Sequence, residues 1–388
     1  MFTHTAQQGS NAERSRLRNR RAVLDQIRRA GTMGRAEIAR VLSLSTQAVS
    51  NIIADLTEEG LLIERGQIAA GRGLPAKQYG LNAKGGFALG LEVRPDAVLG
   101  ALLDLDGTAL MTKRLTLEDT KPQSVLQHVA RLREEAFRSE PAARTRTLGA
   151  GIVMPGPFGK TGIMGHGSDL TGWQDVDPTA LFSDALGLPV EVSNDANAAA
   201  MAERLNGVAQ GLSNYAYLYF GAGLGLGLIS NGQLIQGAFG NAGEIGHIPM
   251  PGTGGNLEGA LSRLSVQTHM ARKGKSASDF DALDTLFLNN DEDLHDWLNS
   301  ASRALSLAVT IVENLFDPET IILGGAMPTA ILQHLVMNCD LPKQSVSNRP
   351  ETSTVRLQSG RTGRMTATLG AAALALNSSL SPHLAPTR

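Results

Sequence analysis

The 388-residue chain is 42% hydrophobic and 19% charged, the balance of a globular protein, and it is long enough for two or three domains. No uninterrupted apolar run approaches the roughly 18 residues that cross a bilayer, and Met1 to Ser10 lacks the apolar segment and cleavage site of a secretory signal. With one cysteine, Cys339, and so no internal disulfide, the expected compartment is the cytoplasm.

The net charge of −2 conceals a division near residue 80. Residues 1–80 carry 12 Lys and Arg against 7 Asp and Glu, whereas the remainder carries 23 against 30. A basic head suits a polyanion such as DNA, because each neutralised phosphate releases counterions. A solvated charged face would show the same balance.

Residues 1–15 read as a disordered tail and 16–82 as a winged helix-turn-helix. Val23, Leu24 and Ile27 form one helical stripe closed by Gly31. Arg35 to Leu42 forms a second helix with Ile38, Val41 and Leu42 inward. The third runs from Thr46 with Val49, Ile52, Ile53 and Leu56 inward and Ser45 as its N-cap. Thr46, Gln47, Ser50 and Asn51 then face outward, short polar side chains able to hydrogen-bond base edges in a major groove. Leu61 to Arg65 and Gln78 to Leu81 read as strands, with a wing over Gly71 to Lys77 between them. Arg65, Arg72 and Lys77 would meet phosphates or reach a minor groove. The other reading of this head is a three-helix protein-interaction domain.

From residue 83 to the end the chain reads as an α/β body. Ala88 to Val93 and Ala97 to Leu105 form a hairpin, and a similar strand-rich start near 215 suggests internal duplication with a cleft between halves, a preferred place for ligands. Asn194 and Asp195 follow the strand Val190 to Val192 and precede the helix Ala196 to Leu205. Asp195 can accept a hydrogen bond from a ligand hydroxyl, take its proton as general base, or simply cap the helix. Glu244 and His247, with Glu258 beyond, offer acceptors and a tunable donor to a polyol; a satisfied core histidine is the plain alternative for His247. Trp173 either shapes that pocket or packs in the core.

Three stretches together carry a family resemblance: Ser193-Asn194-Asp195-Ala196-Asn197-Ala198-Ala199-Ala200, Gly221-Ala222-Gly223-Leu224-Gly225-Leu226-Gly227 and Gly243-Glu244-Ile245-Gly246-His247. With them the chain resembles the ROK family of repressors and sugar kinases, in its regulator branch of N-acetylglucosamine, xylose and Mlc-type repressors. The resemblance implies an actin-like (sugar kinase/ribonuclease H-like) body of two lobes with sugar bound between them. It also implies sugar contacts from Asn194, Asp195, Glu244, His247 and Glu258, with backbone contact near Gly156.

Two departures from the family pattern bear on chemistry. Zinc-bearing members follow the motif histidine with a cysteine cluster, whereas this chain reads Pro249-Met250-Pro251-Gly252-Thr253-Gly254-Gly255-Asn256-Leu257-Glu258; without thiolates no structural zinc is expected. Where a kinase has DxGGT, this chain has Glu92-Val93-Arg94-Pro95-Asp96. An acid repels phosphate there and Pro95 removes a backbone donor, so ATP is not an expected cofactor. Gly221 to Gly227 and Leu323-Gly324-Gly325 are kept, as lobe packing alone would require.

The expected protein is a homodimeric or homotetrameric regulator that binds operator DNA, a repressor whose grip is altered by a sugar or sugar phosphate. Its C-terminal helix, around Gly370-Ala371-Ala372-Ala373, is expected to pack on the first lobe near the head and transmit lobe closure. The alternatives are a hexose kinase with Asp195 as base, and a body that senses a partner protein.

Overall fold

The computed structural model describes residues 9–68, 75–156, 170–173, 176–252, 254–277, 279–349, 354–360 and 363–380. The head begins with helix α1 (Gly9–Ala30), which starts inside the stretch read as a tail. There follow β1 (Thr32–Gly34), α2 (Arg35–Leu42), α3 (Thr46–Glu58), β2 (Leu62–Ile68) and β3 (Ala76–Leu81). β1 is too short for a sequence signal; it exists because it pairs antiparallel with β3, which pairs on its other side with β2.

Helix α3 starts where Ser45 accepts a hydrogen bond from the Ala48 amide at 3.2 Å, which satisfies one of the donors every helix N-terminus leaves free. Val49, Ile52, Ile53 and Leu56 point inward and join Val23, Leu24, Ile27, Ile38 and Tyr79 in one core. Val41 does not join them: it is 44% exposed, because the eight-residue α2 turns Ile38, Ala39 and, partly buried, Leu42 to the core and leaves Val41 on its outer face.

The first lobe contains β4 (Phe87–Arg94), β5 (Ala97–Asp104), β6 (Ala109–Thr116), α4 (Pro122–Ser139), α5 (Ala143–Arg146), β7 (Thr147–Val153), α6 (Pro178–Leu186), β8 (Val190–Ser193) and α7 (Asp195–Asn206). Its sheet runs β6-β5-β4-β7-β8, an antiparallel meander of three strands extended by two parallel ones. The second lobe contains β9 (Tyr215–Phe220), β10 (Leu224–Ser230), β11 (Gln233–Leu234), α8 (Leu257–Ala260), α9 (Arg263–Arg272), α10 (Phe280–Leu288), α11 (Glu292–Phe316), β12 (Thr320–Gly325), α12 (Thr329–Asn338) and β13 (Leu357–Ser359). Its sheet, β11-β10-β9-β12-β13, repeats the same order and directions. The chain closes with α13 (Thr366–Leu380).

Each sheet is covered on both faces, which is why β5 and β9 are buried along their whole length. Between the sheets lie α7 and α13, whose alanines pack with Val153 of one lobe and Tyr215, Tyr217 and Tyr219 of the other. These contacts need bare backbone: a Cβ on Gly370 would lie 2.1 Å from the Ala198 carbonyl oxygen, and one on Gly151 would lie 1.8 Å from that of Ala371. At its far end α13 delivers Leu380 into the head core, beside Leu105 of the first lobe. Head and body therefore share a core instead of being joined by a free linker. Trp173 belongs to the first-lobe core: it stacks on Phe182 with ring centroids 5.6 Å apart and donates to the Thr120 carbonyl at 2.6 Å.

Candidate functional site

The strand-to-helix junction at residues 193–195 divides two roles between neighbours. Asn194, not Asp195, is the N-cap of α7, accepting from the Asn197 amide at 2.9 Å. The Asp195 carboxylate accepts from the amide of Ala196 at 2.8 Å and lies against Gly221, whose Cβ, were there one, would sit 3.1 Å from Oδ2. Asp195 is half-buried by surface exposure, yet it sits deep between the lobes, where little water reaches it. That desolvation, reinforced by the nearby Glu92 carboxylate, pushes it up to about 6. A carboxyl group poised near neutrality is an acceptor that can also hold a proton.

Glu244 precedes a single 3-10 turn, Ile245–His247, and Glu258 rides on the short helix α8. The turn brings His247 between the two carboxylates, with Nε2 3.6 Å from Glu244 and Nδ1 4.0 Å from Glu258. Both separations are longer than a hydrogen bond. Burial, with Glu258 nearby, raises the Glu244 carboxyl above its ordinary value, while His247 opposes the rise. Gly156 comes from the first lobe: a Cβ placed on it would be 3.7 Å from the Glu244 carboxylate, and one on Gly223 would be 2.6 Å from that of Glu258. The glycine-rich segment thus runs under Asp195 and Glu258 together, and residues from both lobes converge on one cleft.

The loop from His247 to Glu258 is ordered by main chain. Pro249 and Asn256 form an antiparallel bridge, Met250 donates to the Gly255 carbonyl at 2.9 Å and Leu257 to that of Ile248 at 3.0 Å. Among the described residues, no group of three or more His, Cys, Asp and Glu side chains is placed to hold a metal ion, and one imidazole without thiolates is a poor donor set for zinc.

Near Asp195, the end of β4 carries a cluster of paired side chains. Glu92, 4% exposed, pairs with Arg94 at 2.5 Å and accepts from the Thr368 hydroxyl of α13 at 2.6 Å. Arg94 donates on to the Arg364 carbonyl at 2.9 Å. Thr368 and the buried Tyr219 ring beside this cluster were not legible as site neighbours in the sequence, since Glu92 and Thr368 are 276 residues apart.

On the head, Thr46, Gln47 and Asn51 lie exposed on α3 and Ser50 is half-buried. Gln47 donates to Asn51 across one turn at 2.9 Å, so the two amides stand side by side. Lys77 is paired with Glu64 across the β2–β3 ladder at 2.8 Å, and Arg72 lies outside the described residues. Arg65, exposed on β2, turns its guanidinium back to the Leu81 carbonyl at 3.0 Å and lines a cleft between head and body. The strand irregularity between Glu64 and Gly66 accompanies that change of direction.

Known proteins share both halves of this geometry. Residues 16–63 match a winged helix-turn-helix DNA-binding family, and residues 88–378 match the ROK family. The xylose repressor of Bacillus spizizenii is 27% identical over 317 residues, covering 80% of this chain and 82% of that protein. A crystal structure of a ROK family transcriptional regulator, a homolog of the E. coli MLC protein, superposes with a TM-score of 0.77 at 25% identity, covering 95% of this chain and 98% of the other. The ROK hexokinase from Thermus thermophilus superposes with a TM-score of 0.57 at 26% identity, over 74% of this chain and 97% of the enzyme. Its likeness therefore leaves about a quarter of this chain unmatched. Matched along both lobes from residue 88 to residue 378, the chain belongs to the ROK family.

Proposed function

We propose that this protein is a DNA-binding repressor whose hold on its operator is altered by a sugar or sugar derivative seated between the lobes. The carrying observation is the union of two units in one core: a winged helix-turn-helix with Gln47 and Asn51 presented on α3, and carboxylates gathered between the lobes, Asp195 and Glu258 against the glycine-rich segment and Glu244 beside His247 and Gly156; Asn194 is included as the neighbour of Asp195. Carboxylates with an imidazole suit the hydroxyls of a polyol. Xylose is the first candidate because the sequence relatives include xylose repressors.

In this reading Gln47, Asn51, Thr46 and Ser50 face base edges, Ser45 caps the reading helix, and Lys77 and Arg72 meet phosphates. The protein acts as a homodimer or homotetramer in the cytoplasm, where operator and sugar meet. In this reading it does not phosphorylate its sugar, and the paired, buried Glu92 with Arg94 and Thr368 supports this, because a carboxylate where the family resemblance puts the first phosphate loop opposes the charge of a nucleotide.

The deciding experiment is fluorescence anisotropy on upstream DNA at fixed salt, titrated with free sugars and sugar phosphates. Release by one sugar supports the reading, whereas indifference to every sugar would move the signal to another ligand or a partner protein. The kinase reading is favoured by one observation, the kept carboxylate of Asp195 at about 6, a suitable base. Turnover of ATP with a hexose that is abolished in Asp195→Asn would establish it.

A further inference from the structure

The head and the body face each other across a cleft of about 620 Å³, lined by Arg28, Arg29, Arg65 and Arg204 together with Asp106 and Asn206. Arg28 and Arg29 end α1, Arg65 stands on β2, and Arg204 is in the last turn of α7. Asp25 binds Arg28 at 2.7 Å and Arg29 at 2.8 Å, and its field also reaches Arg204. The four arginines are set against Asp25 and Asp106, which leaves this group with two uncompensated positive charges. Arg204 is only 7% exposed and reaches the cleft from the body side, with Nη1 buried against Gly232. A cavity walled by more guanidinium groups than carboxylates favours an anion.

We propose that this cleft is an anion site for a small phosphorylated molecule, separate from the cleft between the lobes. Guanidinium forks match the oxygens of phosphate in paired hydrogen bonds, a phosphate monoester carries roughly −1.5 to −2 near neutrality, and the cavity falls in the size range of small-molecule sites. The ligand would touch α1 and β2 of the head and α7 of the body at once. It thereby ties the head to the helix that starts at Asp195.

The test uses the full chain without DNA, titrated with inorganic phosphate and with a hexose phosphate against sodium chloride of equal ionic strength, with melting temperature as the readout. The expected result is a saturable rise beyond the chloride control that survives in Asp195→Asn. In the double variant Arg29→Gln/Arg65→Gln, both exposed side chains, its midpoint moves upward about tenfold or more, and Arg204→Lys, which keeps the charge but not the fork, shows an intermediate shift. Absence of a saturable rise, an unchanged midpoint in the double variant, or loss of the response in Asp195→Asn overturns the proposal. It also falls if free anions have no effect while the double variant flattens the salt dependence of DNA binding, because the arginines would then serve the DNA backbone.

Discussion

Replacing Asp195 by Asn should make the ligand-free protein more stable and less responsive at the same time. The carboxyl group is raised from 3.8 to about 6 by desolvation and by Glu92. At roughly 1.4 kcal/mol per unit, keeping it ionised costs up to about 3 kcal/mol. Asp195 retains some exposure, so solvent screening brings the figure down to about 1–2 kcal/mol. Because the folded value lies above the unfolded one, folding is aided below about pH 4 and that aid is lost as pH rises through 6. Wild type therefore bears the full penalty at pH 7.5. An Asn side chain keeps an oxygen for the Ala196 amide, which Asp195 bonds at 2.8 Å, but carries no charge. Chemical denaturation of Asp195→Asn should show the full gain at pH 7.5 and about half of it at pH 5, because the penalty builds up between about pH 4 and 6. An equal gain at both pH values, or a loss at pH 7.5, would refute the electrostatic argument. The same titration should weaken the sugar response of the wild type between pH 7.5 and 5.5, since the protonated carboxyl is a poorer acceptor, with operator release followed by anisotropy.

Other expectations follow from the contacts described. Glu244→Ala should leave operator affinity unchanged and abolish release by sugar in the same anisotropy assay; loss of DNA binding would show that Glu244 holds the fold. Gln47→Ala or Asn51→Ala should reduce discrimination between operator and mismatched DNA by about 1–3 kcal/mol for each base whose hydrogen bonds are removed, measured by competition. Ser45→Ala removes the cap of α3 and should cost the head about 1 kcal/mol in urea denaturation. Gly370→Val drives a side chain into the Ala198 carbonyl, 2.1 Å from the new Cβ, and should prevent stable folding, read as loss of soluble protein or of a cooperative thermal transition.

The coupling between cleft and head has a physical path in these elements. Helix α7 begins at Asp195 and ends at Asn206, whose side chain bonds the Gly107 carbonyl, with Arg204 in the field of Asp25 on α1. Helix α13 packs along α7 and places Leu380 in the head core. In the proposed function, a change of lobe angle at Asp195 would act on the head through these packed helices, which shift as units where their contacts are close.

The sequence by itself determined what depends on local pattern. The inward stripe of α3, the Ser45 cap, the β4–β5 hairpin and the duplicated strand starts all follow from spacing of apolar and turn residues, which local stretches of chain carry. The motif residues of the candidate site were also legible, because Asn194-Asp195 and Glu244 to His247 lie in short contiguous runs. Tertiary structure alone decided the rest. It set Asn194 and not Asp195 as the cap, since both types cap helices equally well and only backbone geometry separates them. It exposed Val41 and turned Arg65 toward the body, because apolar periodicity does not report how much of a short helix the core can cover, nor which way a strand irregularity aims its side chain. It joined Glu92 to Thr368 across 276 residues and gathered four arginines between head and body, contacts made by chain segments whose separation in sequence carries no signal of their meeting in space.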